Sequence, residues 1–89
     1  MNKLKNINKE KHYEEKLVEN QVYLVNLGNK FMNAVVKAVF NYKVEIEIES
    51  ETLYSVTPVE IVKDPYGLAK EFALGKSFCV EAKQIKEIK

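Results

Sequence analysis

Lys43–Val62, KVEIEIESETLYSVTPVEIV, is the stretch on which the reading of the fold turns. Val44, Ile46 and Ile48 alternate with Glu45, Glu47 and Glu49. A side-chain period of two puts the aliphatic residues on one face of a strand and the carboxylates on the other, so one face is buried and one is wet. Leu53–Val62 is β-rich again and carries one proline, Pro58. Between the halves, Ser50-Glu51 reads as a hairpin turn. The stretch predicts a strand and its hairpin mate, with the rest of the chain covering or continuing them.

Upstream, Lys30–Tyr42 places Phe31, Met32, Val35, Val36, Val39 and Phe40 in a continuous stripe at helical spacing, with Asn33, Lys37 and Asn41 facing out. This spacing favours a helix, although valine and phenylalanine would also suit a strand. On either reading the apolar residues belong to the core. Gln21–Leu27 carries four consecutive apolar residues, Val22 to Val25, as in a strand covered on both faces. Gly28-Asn29 punctuates it. Lys9–Asn20 reads as a short helix with Tyr13, Leu17 and Val18 on its apolar side. Residues 1–11, with Lys3, Lys5, Lys9 and Lys11 against Glu10, read as a flexible basic arm.

Downstream, Lys63-Asp64-Pro65-Tyr66-Gly67 is a turn. Leu68–Leu74 suits a further strand, with a helical turn open to Lys70–Leu74. Gly75-Lys76 turns the chain again. Ser77–Ala82 alternates Phe78, Val80 and Ala82 inward against Cys79 and Glu81. Ile85 and Ile88 suit either one helical turn or a last bent strand. The expected fold class is α+β, mainly β: four to five strands with one or two N-terminal helices, residues 12–89 forming a single barrel domain. Short hairpin-linked strands curl into a small barrel because closure removes exposed edges.

Composition narrows the function classes. The 89 residues make one domain, with 46% hydrophobic content for its core. No apolar run approaches the roughly 18 residues that span a bilayer. The N-terminal residues have no apolar centre of the kind a signal peptide carries, and a single cysteine forms no internal disulfide, so a cytoplasmic location is expected, with no membrane partner. Net charge is +1, and all 14 basic residues are lysine. Arginine, the usual reader of guanine edges and bidentate clamp of phosphate, is absent, which weakens sequence-specific nucleic-acid recognition.

His12, Cys79 and Asp64 are each the single residue of their type. Three or four ligands at set spacing are needed to hold zinc, so no metal and no cofactor are expected, and catalysis is not expected either. His12 reads as a surface residue, and Cys79 as a small hydrophobe packed among apolar neighbours. Gly28, Gly67 and Gly75 are isolated and build no phosphate-cradling loop. Glu45, Glu47, Glu49 and Glu51 read as an acidic stripe on one strand face, which would protect an edge and repel phosphate. A nucleic-acid or nucleotide ligand is therefore expected at the later lysines. The candidate site comprises Lys63, Tyr66, Lys70, Lys83 and Lys86, with Tyr66 as a stacking ring and Lys76 near them.

The order Ala38-Val39, Val44-x-Ile46-x-Ile48, Val56-x-Pro58, Ile61-Val62, Tyr66-x-Leu68 and Ile85-x-x-Ile88 resembles the WYL domain, a small Sm-like or SH3-like β-barrel of bacterial regulators, over about 57 residues from Asn33 to Lys89. The family's Trp-Tyr-Leu would be Tyr66-Gly67-Leu68, and its ligand-binding arginines would fall at Glu81 and Gln84, so the resemblance implies the barrel but not the cationic sensor site. Residues 12–62 resemble, more weakly, Hfq and other Sm-like RNA chaperones: a leading helix, Val22-Tyr23-Leu24-Val25-Asn26, then three strands. That alignment needs residues 31–40 to be a strand, and it has Tyr54-Ser55-Val56 in place of the family's Tyr-Lys-His. The resemblances imply a non-enzymatic regulatory module contacting nucleic acid or a nucleotide. The alternatives are a small phage or mobile-element protein-interaction (inhibitor) module, and an oligomeric Sm-like RNA binder.

Overall fold

The computed structural model describes residues 17–88. The basic arm 1–11, His12 and most of the helix expected over Lys9–Asn20 lie outside them. Residues 17–20 are not helical; they end in a turn, with Asn20 at φ 71°.

Five strands form one antiparallel sheet: β1 (Val22–Asn26), β2 (Val35–Ile46), β3 (Glu51–Lys63), β4 (Phe78–Val80) and β5 (Ile85–Lys86). Their spatial order is β4-β3-β2-β1-β5. One short helix, α1 (Leu68–Phe72), joins β3 to β4, and 3-10 turns cover Asn29–Phe31 and Ala82–Gln84. The predicted hairpin is the centre of the sheet, but β2 begins eight residues before Lys43.

The helix expected over 30–42 is instead a 3-10 turn, a left-handed pair and the first half of β2. Met32 and Asn33 sit at φ 54° and 60°, which halts any helix at its start. From Val35 onward the burial alternates: Val36, Ala38 and Phe40 are buried, while Val35, Lys37 and Val39 are half-buried. The apolar doublets satisfy both periods, so the spacing did not discriminate. Pairing on both sides did, with Val36 opposite Val25 on β1 and Ile61 on β3. Valine's stiff β-branched side chain favours the same outcome.

Leu68–Leu74 corrects in the opposite direction: it is mostly helix, not strand. Ala69 and Ala73, four apart, are both fully buried, and their small side chains let the helix lie close to the sheet. The Asp64 carboxylate accepts from Ala69 N–H at 3.1 Å and Lys70 N–H at 2.9 Å, satisfying donors that a helix start leaves unpaired. The one α-helix among the described residues therefore follows β3 rather than preceding the strands.

Two smaller expectations also change. β2 ends at Ile46, the turn occupies 47–50, and Ile48 is 97% exposed rather than part of the buried face. Glu45 lies opposite Thr52, whereas Glu51 lies opposite Ile46, so the two carboxylates are on opposite faces and no continuous acidic stripe forms. β1 is buried on one face rather than both: Tyr23 and Val25 point into the core, and Val22 is exposed. At the C-terminal end the bent-strand alternative is the one observed, preceded by a 3-10 turn.

The core is built from Tyr23, Val25, Val36, Ala38, Phe40, Tyr54, Val56, Val80 and Ile85, closed over by Leu27, Ala34, Ala69 and Ala73. Phe40 and Tyr54 pack ring against ring at 6.0 Å. β3 accommodates Pro58 just beyond Tyr54–Val56, the part paired with β4, and beside an irregularity in its pairing with β2.

Candidate functional site

At one end of the sheet, the β1–β2 connection, α1, β4 and the turn before β5 surround a cleft of about 930 Å³. This lies within the range of about 300–1,000 Å³ common for small-ligand sites. Its wall on the β1 side is a loop held by its own backbone. Gly28 C=O accepts from both Phe31 N–H (3.0 Å) and Asn33 N–H (2.8 Å), and Leu27 N–H donates to Ala34 C=O (2.9 Å). Gly28 N–H in turn donates to Asn26 Oδ1 at 2.8 Å. Gly28 sits at φ 86°, ψ −174°, a region open in practice only to glycine.

Gln84 joins this loop to the opposite wall. Its Nε2 donates to Asn26 C=O at 2.7 Å, while its Oε1 accepts from Glu81 N–H at 2.9 Å. Both ends of the amide are thus engaged, and the turn Ala82–Gln84 is latched to the end of β1. The floor is aromatic. Phe31 and Phe78 meet edge to face, 5.6 Å between centroids and 80° between planes, and both pack against the core. Phe72 of α1 completes an aromatic trio and is 52% exposed, leaving much of its surface open to solvent.

Among the described residues lining the cleft, the charged side chains are Lys30 and Lys83. Glu81 lies 3.5 Å from Lys83 Nζ, but both side chains are largely in water, where such a pair is weak, so the ammonium is free to meet another anion. The amides of Asn26, Asn29, Asn33 and Gln84 supply donors and acceptors around the rings. Cys79 also lines the cleft and is exposed, contrary to its expected role as a packed small hydrophobe. Its place on β4 explains this: Phe78 and Val80 turn toward the core, and the residue between them turns away. No group of three His, Cys, Asp or Glu side chains able to hold a metal occurs among the described residues. No helix among them is long and apolar enough to cross a membrane.

Of the five predicted site residues, Lys83 alone lines the cleft. Lys63 ends β3, Tyr66 stands 70% exposed in the following turn, Lys70 is exposed on α1, and Lys86 lies on β5 opposite Leu24. Gln84, where the WYL resemblance would have an arginine, is in the wall. In the sequence Phe31 reads only as core, and Phe72 carries no signal of its own. The asparagines around Gly28 are the one local cue in the sequence, since Asn and Gly cluster where backbone leaves ordinary conformations. Compared with known proteins, the chain matches no family model, no curated protein and no solved structure.

Proposed function

We propose that the protein is a non-enzymatic binding module, a small Sm/SH3-like barrel, that holds a nucleotide or a short single-stranded stretch of nucleic acid in this cleft and regulates through that contact. One observation carries the reading: among the described residues, three phenylalanines and four side-chain amides line a cleft whose charged lining residues are Lys30 and Lys83. Aromatic faces stack on bases, amides meet base edges, and ammonium groups meet phosphate. Lysine is adequate here because it acts as a point charge, without the bidentate geometry arginine provides. The barrel part of the proposal rests on the strand order, in which β5 returns to pair with β1 and both sheet ends are very short strands. The strand at 35–40 supports the Sm-like alternative, an RNA binder, in part: that alignment needs strand at 31–40, and 31–34 form a 3-10 turn and a left-handed pair instead.

The test is titration of the protein with mononucleotides and with homopolymer oligonucleotides, followed by NMR or calorimetry at low salt. Binding is expected to weaken steeply between about 50 and 200 mM salt. A Lys30→Ala/Lys83→Ala double variant is expected to lose about tenfold or more in affinity and to flatten the salt response. Phe72→Ala is expected to cost about 1–3 kcal/mol at every salt concentration, because stacking is not screened. Saturation by mononucleotides would identify a nucleotide site, and saturation by oligonucleotides alone a strand-binding one. No response to either at low salt would sink the proposal and favour a protein target at the same face.

A further inference from the structure

Beyond Phe40 the sheet changes character. β1 accompanies β2 only through Val39, with Gln21 and Asn20 adding backbone bonds to Phe40. Asn41 then makes an irregularity in the register, its amide donating to Ser55 Oγ (3.1 Å) and Thr57 Oγ1 (2.9 Å). Past it, β2 from Tyr42 to Ile46 pairs with Leu53 and its neighbours on β3 and with nothing on its other side among the described residues. It is a two-stranded ribbon, a form marginal in water on its own. That edge, without a strand partner among the described residues, offers backbone groups that pair readily with another strand.

Cross-strand pairing settles the faces of this ribbon. Tyr42, Val44 and Ile46 share one face with Leu53, which lies directly opposite Val44. Val44, Ile46 and Leu53 are only half-buried, and Tyr42 is 56% exposed. Lys43 and Glu45 share the other face, their charged ends 3.5 Å apart, Lys43 about half in water and Glu45 mostly so.

We infer that this edge pairs with the same edge of a second copy, antiparallel and centred on Val44, to form a two-fold dimer. The sequence is self-complementary in that register alone. Centred on Val44, Tyr42 of each copy faces Ile46 of the other, and Val44 meets its own mate. Lys43 of each copy then faces Glu45 of the other. Centring on Lys43 or on Glu45 instead sets like charges directly opposite one another, which is destabilising. The neighbouring edge of β3, Glu51–Leu53, likewise without a second strand partner among the described residues, fails the same test, since centring it on Thr52 sets each glutamate against a leucine. The dimer extends the ribbon to four strands and lays Leu53 and Val44 of both copies in one apolar row. The cleft residues lie outside this ribbon, so the inference is independent of the cleft's ligand.

Sedimentation of the full chain with four sequences tests it. The unaltered chain is expected to be a dimer. Lys43→Glu and Glu45→Lys, each of which creates two like-charge contacts, are expected to weaken it by about tenfold or more. The double variant Lys43→Glu/Glu45→Lys restores both contacts and is expected to be a dimer again. An equimolar mixture of the two single variants is expected to form dimers that neither forms alone. Circular dichroism checks that all four are folded. The inference is overturned if the unaltered chain is a monomer, which would leave the edge to the N-terminal residues or to solvent. It is equally overturned if the single variants stay dimeric, or if the chain forms a larger ring whose mass ignores both substitutions.

Discussion

Gly28 shows how much a single residue can decide here. Its backbone places two N–H donors on one carbonyl and turns the chain from β1 into the cleft wall. At φ 86° and ψ −174° the backbone is in a region where a Cβ is strained whatever the room around it. The room itself is ample: an added Cβ would find Gln84 Nε2 at 3.8 Å, an ordinary contact. Gly28→Ala is therefore expected to cost about 1–3 kcal/mol from conformation alone, read as a lowered urea midpoint with an unchanged m-value. Sequence spacing marked Gly28-Asn29 as punctuation and went no further, because a residue type names the permitted backbone region and not which neighbouring amides will use it.

Among the elements, β2 and β3 carry the test of the pattern that first suggested a strand. Phe40 is 4% exposed and packs against Tyr54, whereas Ile48, an apolar residue from the alternating run, is 97% exposed. Phe40→Ala is expected to destabilise by about 3–5 kcal/mol. Ile48→Ser is expected to change stability by no more than about 0.5 kcal/mol. Chemical denaturation of the two variants side by side checks the contrast. If Ile48→Ser proved the costlier, the assignment of 47–50 to a turn would be wrong. The alternation of Val44 and Ile46 was legible in the sequence because a half-wet strand has a period that helices lack. The first half of β2 was not, because Val35-Val36 and Val39-Phe40 satisfy both periods. For Leu68–Leu74 the helix depends on Asp64, whose carboxylate reaches Ala69 and Lys70 from outside the segment being read.

At the scale of the molecule, the chain's two described ends are brought together. Ile85 is 3% exposed and pairs with Val25, sixty residues earlier, and Gln84 adds its bond to Asn26 beside them. β5 has two residues, so its place rests on that one buried side chain and the Gln84 latch rather than on a long ladder. Ile85→Ala is expected to cost about 2–5 kcal/mol. That is a large share of the roughly 5–15 kcal/mol by which a domain is stable. Thermal unfolding measures it, and the same variant is expected to weaken ligand binding in the cleft, since Lys83 and Gln84 depend on where Ile85 is anchored. Unfolding unchanged from the original chain would show that β5 is not a fixed part of the sheet.

By itself the sequence determined that this is a small, mainly β domain, where its central hairpin lies, and that β4 turns alternate residues inward. Those properties are local: the period of apolar side chains and the turn residues that interrupt it act between near neighbours. Only the tertiary structure decided that 35–42 is strand, that 68–72 is helix, and that Phe31, Phe72, Phe78, Lys30 and Lys83 share one cleft. These residues come from four separate segments, and no spacing along the chain encodes their meeting. It follows from β5 returning to β1 and from α1 burying Ala69 and Ala73, contacts that exist only once the sheet has formed.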